Sequence, residues 1–182
     1  MPAPPETPAA FPGRWFHFVV TTYGAWLYGD ERGFRTRHHR EHVQGDYKHP
    51  PPKGKYNDAA ARSREAMNQP AVVIPAKWRP TIGHAIREHL EQKGVFVLCF
   101  AQAGQHLHLL AKVPHGLKPR RLMGLAKRHA TVVAKRHGWK DKLWGKRGKE
   151  VPVRNRAHQL NVRRYILDHL KEGAFVWEWR RS

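Results

Sequence analysis

Three features of the sequence predict an α+β fold: an antiparallel sheet with helices packed on one face and a further helix at the C-terminal end. β-Branched and aromatic runs occupy Trp15–Thr22 and, as a pair about the polar turn Gln102–Gln105, Val95–Val113. Proline-started, glycine-stopped amphipathic stretches cover Pro80–Lys93 and Pro119–His137. The resulting order, β-α-β-β-α-β-α, has as its first six members the ferredoxin-like split βαβ arrangement, in which the first and third strands are central.

Each element has a local reason. Residues 1–13 are rich in Pro and Ala and read as a disordered leader, leaving 14–182 as a single domain. Trp15–Thr22 is the first strand, and the three glycines of Tyr23–Phe34 break it. Trp26 in that loop reads equally as a core anchor or as a base-stacking platform. Residues 35–75 form a long basic insertion rich in His, Pro and Gly, with one short helix over Asn57–Asn68. A connection of that length suggests a function, here carrying charge toward nucleic acid, with a plain surface loop as the alternative. Ile82, Ile86 and Leu90 give the next helix its buried stripe, and Gly94 stops it. The following helix turns Leu122, Leu125, Ala126 and Val133 inward and Lys127, Arg128, Lys135 and Arg136 outward. Lys140–Lys149 reads as a basic loop around Trp144, and Glu150–Arg154 as a short strand that Pro152 confines to a sheet edge. A last helix spans Ala157–Lys171, and AFVWEW closes the chain as a strand or arm.

Charge narrows the function. In 182 residues, 34 Lys and Arg face 14 acids, for a net charge of +20. Such a field attracts polyanions, so DNA or RNA is the expected partner. The lone Cys99 can form no internal disulfide, which fits a reducing compartment. No apolar run is long enough to span a membrane and no signal-peptide pattern opens the chain. The expectation is a cytoplasmic, nucleoid-associated protein without a membrane partner.

The candidate chemistry lies on two elements. His106 and His108 are two apart in a strand, so both imidazoles leave one face while Leu107 and Leu109 bury on the other. With 14 histidines in the chain, about one such pair arises by chance, so spacing alone is weak evidence. Tyr165 and His169 are four apart in the last helix and share a face. A helix offering a hydroxyl and a third imidazole over a sheet offering two more is chemically coherent, since three ligands leave positions open for a phosphate oxygen. Tyr165 reads equally, by itself, as a packed anchor of its helix.

Four segments carry a resemblance: FHFVVTTYGAWLYGDERGF, QHLHLLAKVP, KLWGKRGKEVPVRN and VRRYILDH. Together they resemble the single-tyrosine transposases of the HUH nuclease superfamily, both insertion-sequence enzymes and their REP-associated relatives, over Trp15 to Gly173. The resemblance implies Tyr165 as nucleophile in single-stranded or hairpin DNA, His106 and His108 as metal ligands, and a divalent cation, Mg²⁺ or Mn²⁺, as cofactor. It implies a third ligand one turn beyond the tyrosine, where this chain has His169 in place of the frequent glutamine. Gln105 likewise replaces a frequent asparagine. His17, on the first strand, is expected behind the ligands. Lys127, Arg128, Lys135, Arg136, Lys146, Arg147, Arg163 and Arg164 are expected to meet DNA. Members of the family often form homodimers, in some of which the tyrosine helix serves the partner's histidines. The other readings are a domesticated, non-cleaving relative that binds hairpin repeats, and a basic RNA-binding or ribosome-associated protein.

Overall fold

The computed structural model describes residues 11–31 and 52–180. Most of the expected leader and residues 35–51 of the expected insertion lie outside the described residues. The elements are β1 (Arg14–Thr22), α1 (Asn57–Glu65), α2 (Arg79–Gln92), β2 (Phe96–Gln102), β3 (His106–Val113), α3 (Pro119–Arg136), β4 (Trp144–Pro152), α4 (Arg156–Asp168) and β5 (Phe175–Glu178). Short 3₁₀ turns precede α2 and follow α4.

One antiparallel sheet runs in the order β4-β1-β3-β2-β5, so β1 and β3 lie side by side inside it, as the split βαβ order requires. Strand alternation sends Phe18, Val20, Leu107, Leu109 and Ala111 to one face, where they meet Ile82, Ile86 and Leu90 of α2 and Leu122, Met123 and Ala126 of α3. The opposite face carries Leu110 and the neighbouring histidines of β3. There Val162 and Ile166 of α4 pack on Cys99, Ala101 and Leu110. Because β2 is covered on both faces, all seven of its residues are buried, including Cys99, whose thiol burial pushes up to about 12. Phe11, at the end of the expected leader, packs its ring 5.1 Å from that of Phe96.

Two expectations are corrected. The segment from Trp144 to Lys149 is not a basic loop: it is the first two-thirds of β4, and the strand ends at Pro152 instead of running from 150 to 154. Its Lys and Gly residues look unlike a strand, yet β4 is a sheet edge, where charged side chains are at home. The glycines have their own reason, since a Cβ at Gly148 would stand 2.9 Å from the Val19 carbonyl oxygen. The last helix is also shorter than 157–171. Regular α-helix ends at Asp168, and His169–Glu172 continues as a 3₁₀ turn stopped by Gly173 at φ 77°.

The later part of the expected insertion is woven into the core. Val72 and Ile74 are buried, and the backbone N–H of Val72 donates to the Tyr23 carbonyl and that of Ile74 to the Gly104 carbonyl. Among the described residues, no helix is long and apolar enough to cross a membrane.

Candidate metal centre and nucleophile

His106 and His108 leave the α4 face of β3 because Leu107 and Leu109 must fill the other. Register brings in a third strand residue. β1 pairs with β3 so that Val19 lies opposite His108 and His17 opposite Leu110, which sets the two imidazoles diagonally on one face. His17 Nε2 stands 3.0 Å from His108 Nδ1.

α4 closes the cluster from above. Its start is held by Asn155, whose Oδ1 accepts from the His158 N–H, while His158 Nδ1 accepts from the Arg154 N–H. Val162 and Ile166 bury against the sheet, and this rotation of the helix aims Tyr165 and His169 at the strand histidines. The Tyr165 ring lies 4.7 Å from His169, 5.1 Å from His108 and 6.1 Å from His17, centroid to centroid. Its Oη is 3.4 Å from His108 Nε2. Tyr165 is 49% exposed, so half of it lies open to solvent while its ring rests on the histidines.

His106, His108 and His169 each offer a ring nitrogen, all within 4.8 Å of one another. Their surroundings fit a cation. His169 Nδ1 donates to the Tyr165 carbonyl at 2.8 Å, so its proton is on that atom and Nε2 keeps the lone pair. His106 Nε2 is buried with no hydrogen-bond partner among the described residues, a costly state that a bound ion relieves. If His108 Nδ1 donates to His17, its Nε2 keeps the remaining lone pair. The electrostatics agree. Burial lowers His108 to about 2, helped by its neighbours His17, His106 and His169. Burial, with His158 and His169 adding, lowers His17 to about 4. Burial also lowers His106, with His169 acting the same way and Glu172 opposing. These three rings are therefore neutral at pH 7, the state ligation needs.

The basic residues expected to meet DNA do not form one surface. Lys127, Arg128 and Lys135 line a groove of about 630 Å³ between α3 and the start of β4, on the sheet face opposite the histidines. Lys127 is not simply exposed there, because its Nζ donates to the Gly145 carbonyl at 2.6 Å and burial lowers its pKa. Arg136 is exposed in the last turn of α3, and Lys146 and Arg147 lie on β4. On α4, Arg163 is ion-paired with Glu178, while Arg164 is exposed and donates to Asn161 Oδ1 at 3.2 Å. His158 was not singled out from the sequence, although its place seven residues before Tyr165 puts it on the same helix face.

No protein-family model matches the chain, and no curated protein matches it. Among solved structures, it is similar to a REP-associated tyrosine transposase bound to a REP hairpin, at 14% identity and a TM-score of 0.47, over 89% of this chain and 70% of that chain. At that level the likeness assigns neither a residue nor an activity to this chain.

Proposed function

We propose that this protein is a metal-dependent single-stranded DNA nickase and transposase, acting on hairpin-bearing DNA with Tyr165 as nucleophile. The observation that carries the reading is the hydroxyl of the half-exposed Tyr165, 3.4 Å from the His108 nitrogen that belongs to a cluster of three imidazoles. Tyr165 stands half open to solvent at the rim of the histidine cluster, and the +20 charge supplies the attraction for a polyanion.

In this reading Tyr165 Oη attacks a phosphodiester phosphorus, the bond to the 3′ oxygen breaks, and that oxygen leaves as a 3′-OH after taking up a proton. The product is a 5′-phosphotyrosine, which a second 3′-OH reverses by the same exchange, joining strands. His106, His108 and His169 would hold a divalent cation, which supplies charge neutralisation at the phosphate. Three imidazoles suit Mn²⁺, Co²⁺, Ni²⁺ or Zn²⁺ better than Mg²⁺. The His108 Nε2 lone pair serves either the ion or the phenol, so the phenolic proton departs to solvent, to which Tyr165 is open. The α4 helix presents Tyr165 to histidines of its own chain.

Incubating the protein with a labelled hairpin carrying a single-stranded flank and Mn²⁺ tests this. A covalent adduct should appear on a denaturing gel. Tyr165→Phe should abolish the adduct and keep hairpin affinity within a few-fold. An adduct of undiminished yield would move the nucleophile elsewhere, to Tyr23 or Tyr28 first. Tight hairpin binding without any adduct would favour the non-cleaving repeat binder, and a preference for structured RNA would favour the RNA-binding reading.

A further inference from the structure

A cavity of about 660 Å³ opens at the end of the sheet that carries His106, between the loop after β1, α1 with the turn that follows it, and the β2–β3 turn. Gln105, the residue before the ligand His106, is part of its wall. We infer that this cavity is a recognition pocket for one unpaired nucleobase of the strand that Tyr165 cuts. The inference rests on the function proposed above and adds to it a source of sequence specificity.

The chemistry of the wall suits a base. Asn68, Gln105, Arg64 and Asp30 supply polar groups, and Leu27, Met67 and Pro70 supply apolar surface. Amide and guanidinium side chains are the groups that read base edges in pairs of hydrogen bonds, while a flat apolar surface takes the ring face. The volume lies in the range of pockets that enclose a small ligand, enough for a base and part of its sugar.

The orientation of Asn68 is settled by its neighbour. Its backbone N–H donates to the Tyr23 hydroxyl at 3.3 Å, and that hydroxyl donates back to Asn68 Oδ1 at 2.9 Å. The Asn68 oxygen thereby accepts one hydrogen bond and keeps a second lone pair, and its NH₂ is left as a donor. Among the described residues, neither that NH₂, nor the Gln105 amide, nor the Arg64 guanidinium has a hydrogen-bond partner. The wall therefore holds donors and acceptors together, Asp30 included, and can pair with a base edge that presents both.

The wall is also rigid, as discrimination requires. Gly24 takes φ 70°, and a Cβ there would stand 2.4 Å from Met67 Cε and 2.9 Å from Ala71 Cα, so the loop after β1 lies flush on the 67–71 segment. Gln69 exchanges two hydrogen bonds with the Lys142 backbone, at 3.1 and 2.9 Å, tying the same segment to the approach to β4. The Gln105 carbonyl accepts from the Thr22 N–H at 2.9 Å, which fixes the pocket relative to His106.

A pool of hairpins with a randomised single-stranded flank tests the pocket. Bound and covalently captured molecules are sequenced separately for the wild-type chain, Asn68→Ala, Gln105→Ala and Tyr165→Phe, each checked for folding by circular dichroism. The wild type should enrich one base at one flank position. Both pocket variants should lose that enrichment by roughly 5- to 100-fold, whereas Tyr165→Phe should retain it in the bound fraction. Should one pocket variant fail to fold, the other decides. Equal enrichment by the wild type and a folded pocket variant would overturn the pocket. So would binding and cleavage by the wild type with no enriched position, and in both cases the nickase reading stands. A wild-type chain that neither retains nor cuts the pool would remove the nickase reading, and the pocket with it.

Discussion

His17 can hold His108 in one tautomer because their facing nitrogens are 3.0 Å apart and only one of them carries the proton. With His17 as acceptor, His108 is protonated on Nδ1 and offers Nε2 to the cluster. Partners of this kind orient ligands, and losing one commonly costs about 10- to 100-fold in metal affinity. His17→Phe should therefore weaken Mn²⁺ binding, followed by titration calorimetry, by that factor, while His17→Gln, which keeps an acceptor oxygen, should stay within a few-fold. Wild-type affinity in His17→Phe would show that His108 needs no such support. The strand pair His106/His108 and the helix pair Tyr165/His169 are legible from the two-residue and four-residue periods alone. The His17 contact is not, because it depends on β1 meeting β3 in one register, with Val19 opposite His108. A slip of one residue would turn His17 to the other face.

At the scale of elements, α4 is the part whose docking decides whether the site exists. Among the described residues it is the one α-helix on its face of the sheet, held by Val162 and Ile166 against Cys99, Ala101 and Leu110. Ile166 is fully buried, so Ile166→Ala should cost about 2–4 kcal/mol in denaturant unfolding. It should lower adduct yield as well, because Tyr165 and His169 ride on the same helix. Leu160 is 45% exposed, and Leu160→Ala should change stability by no more than about 0.5 kcal/mol. Equal costs at the two positions would mean that α4 does not dock by this face. The apolar stripes of α2 and α3 and the hydrophobic strands are readable because each follows one period over many residues. β4 is not, since an edge strand tolerates Lys and Gly and so resembles a loop. The 70–75 stretch, which buries Val72 and Ile74, is hidden for a related reason: these two are paired by backbone hydrogen bonds to the distant Tyr23 and Gly104, which no local pattern announces.

Across the whole molecule, the charge and the site divide between two faces. The Arg128 and Lys135 groove lies under α3, and Tyr165 lies under α4, with the sheet between them. A strand that touches both must leave the tyrosine face, either around the β4 edge, where Lys146 is exposed, or past the sheet end that carries His106, where Gln69 binds the Lys142 backbone. A substrate that spans them needs two parts: a flank at Tyr165 and a longer duplex or strand that passes from one face to the other. Arg128→Glu with Lys135→Glu is therefore the informative charge change, and Lys127 is left alone because its Nζ also ties α3 to the Gly145 carbonyl. The double variant should bind a single strand of about six nucleotides as the wild type does, since such a strand, at the reach of a few phosphates, stays on the tyrosine face. On a full hairpin with its flank, the same variant should lose affinity at low salt for all sequences alike. The slope of log K against log salt for that hairpin should fall by roughly 0.7 to 0.9 for each phosphate contact removed. Fluorescence anisotropy over a salt series measures both substrates. Equal losses on the short strand and the hairpin would place the groove cations in general attraction and remove the two-face path. An unchanged slope on the hairpin would show that the α3 face never meets DNA.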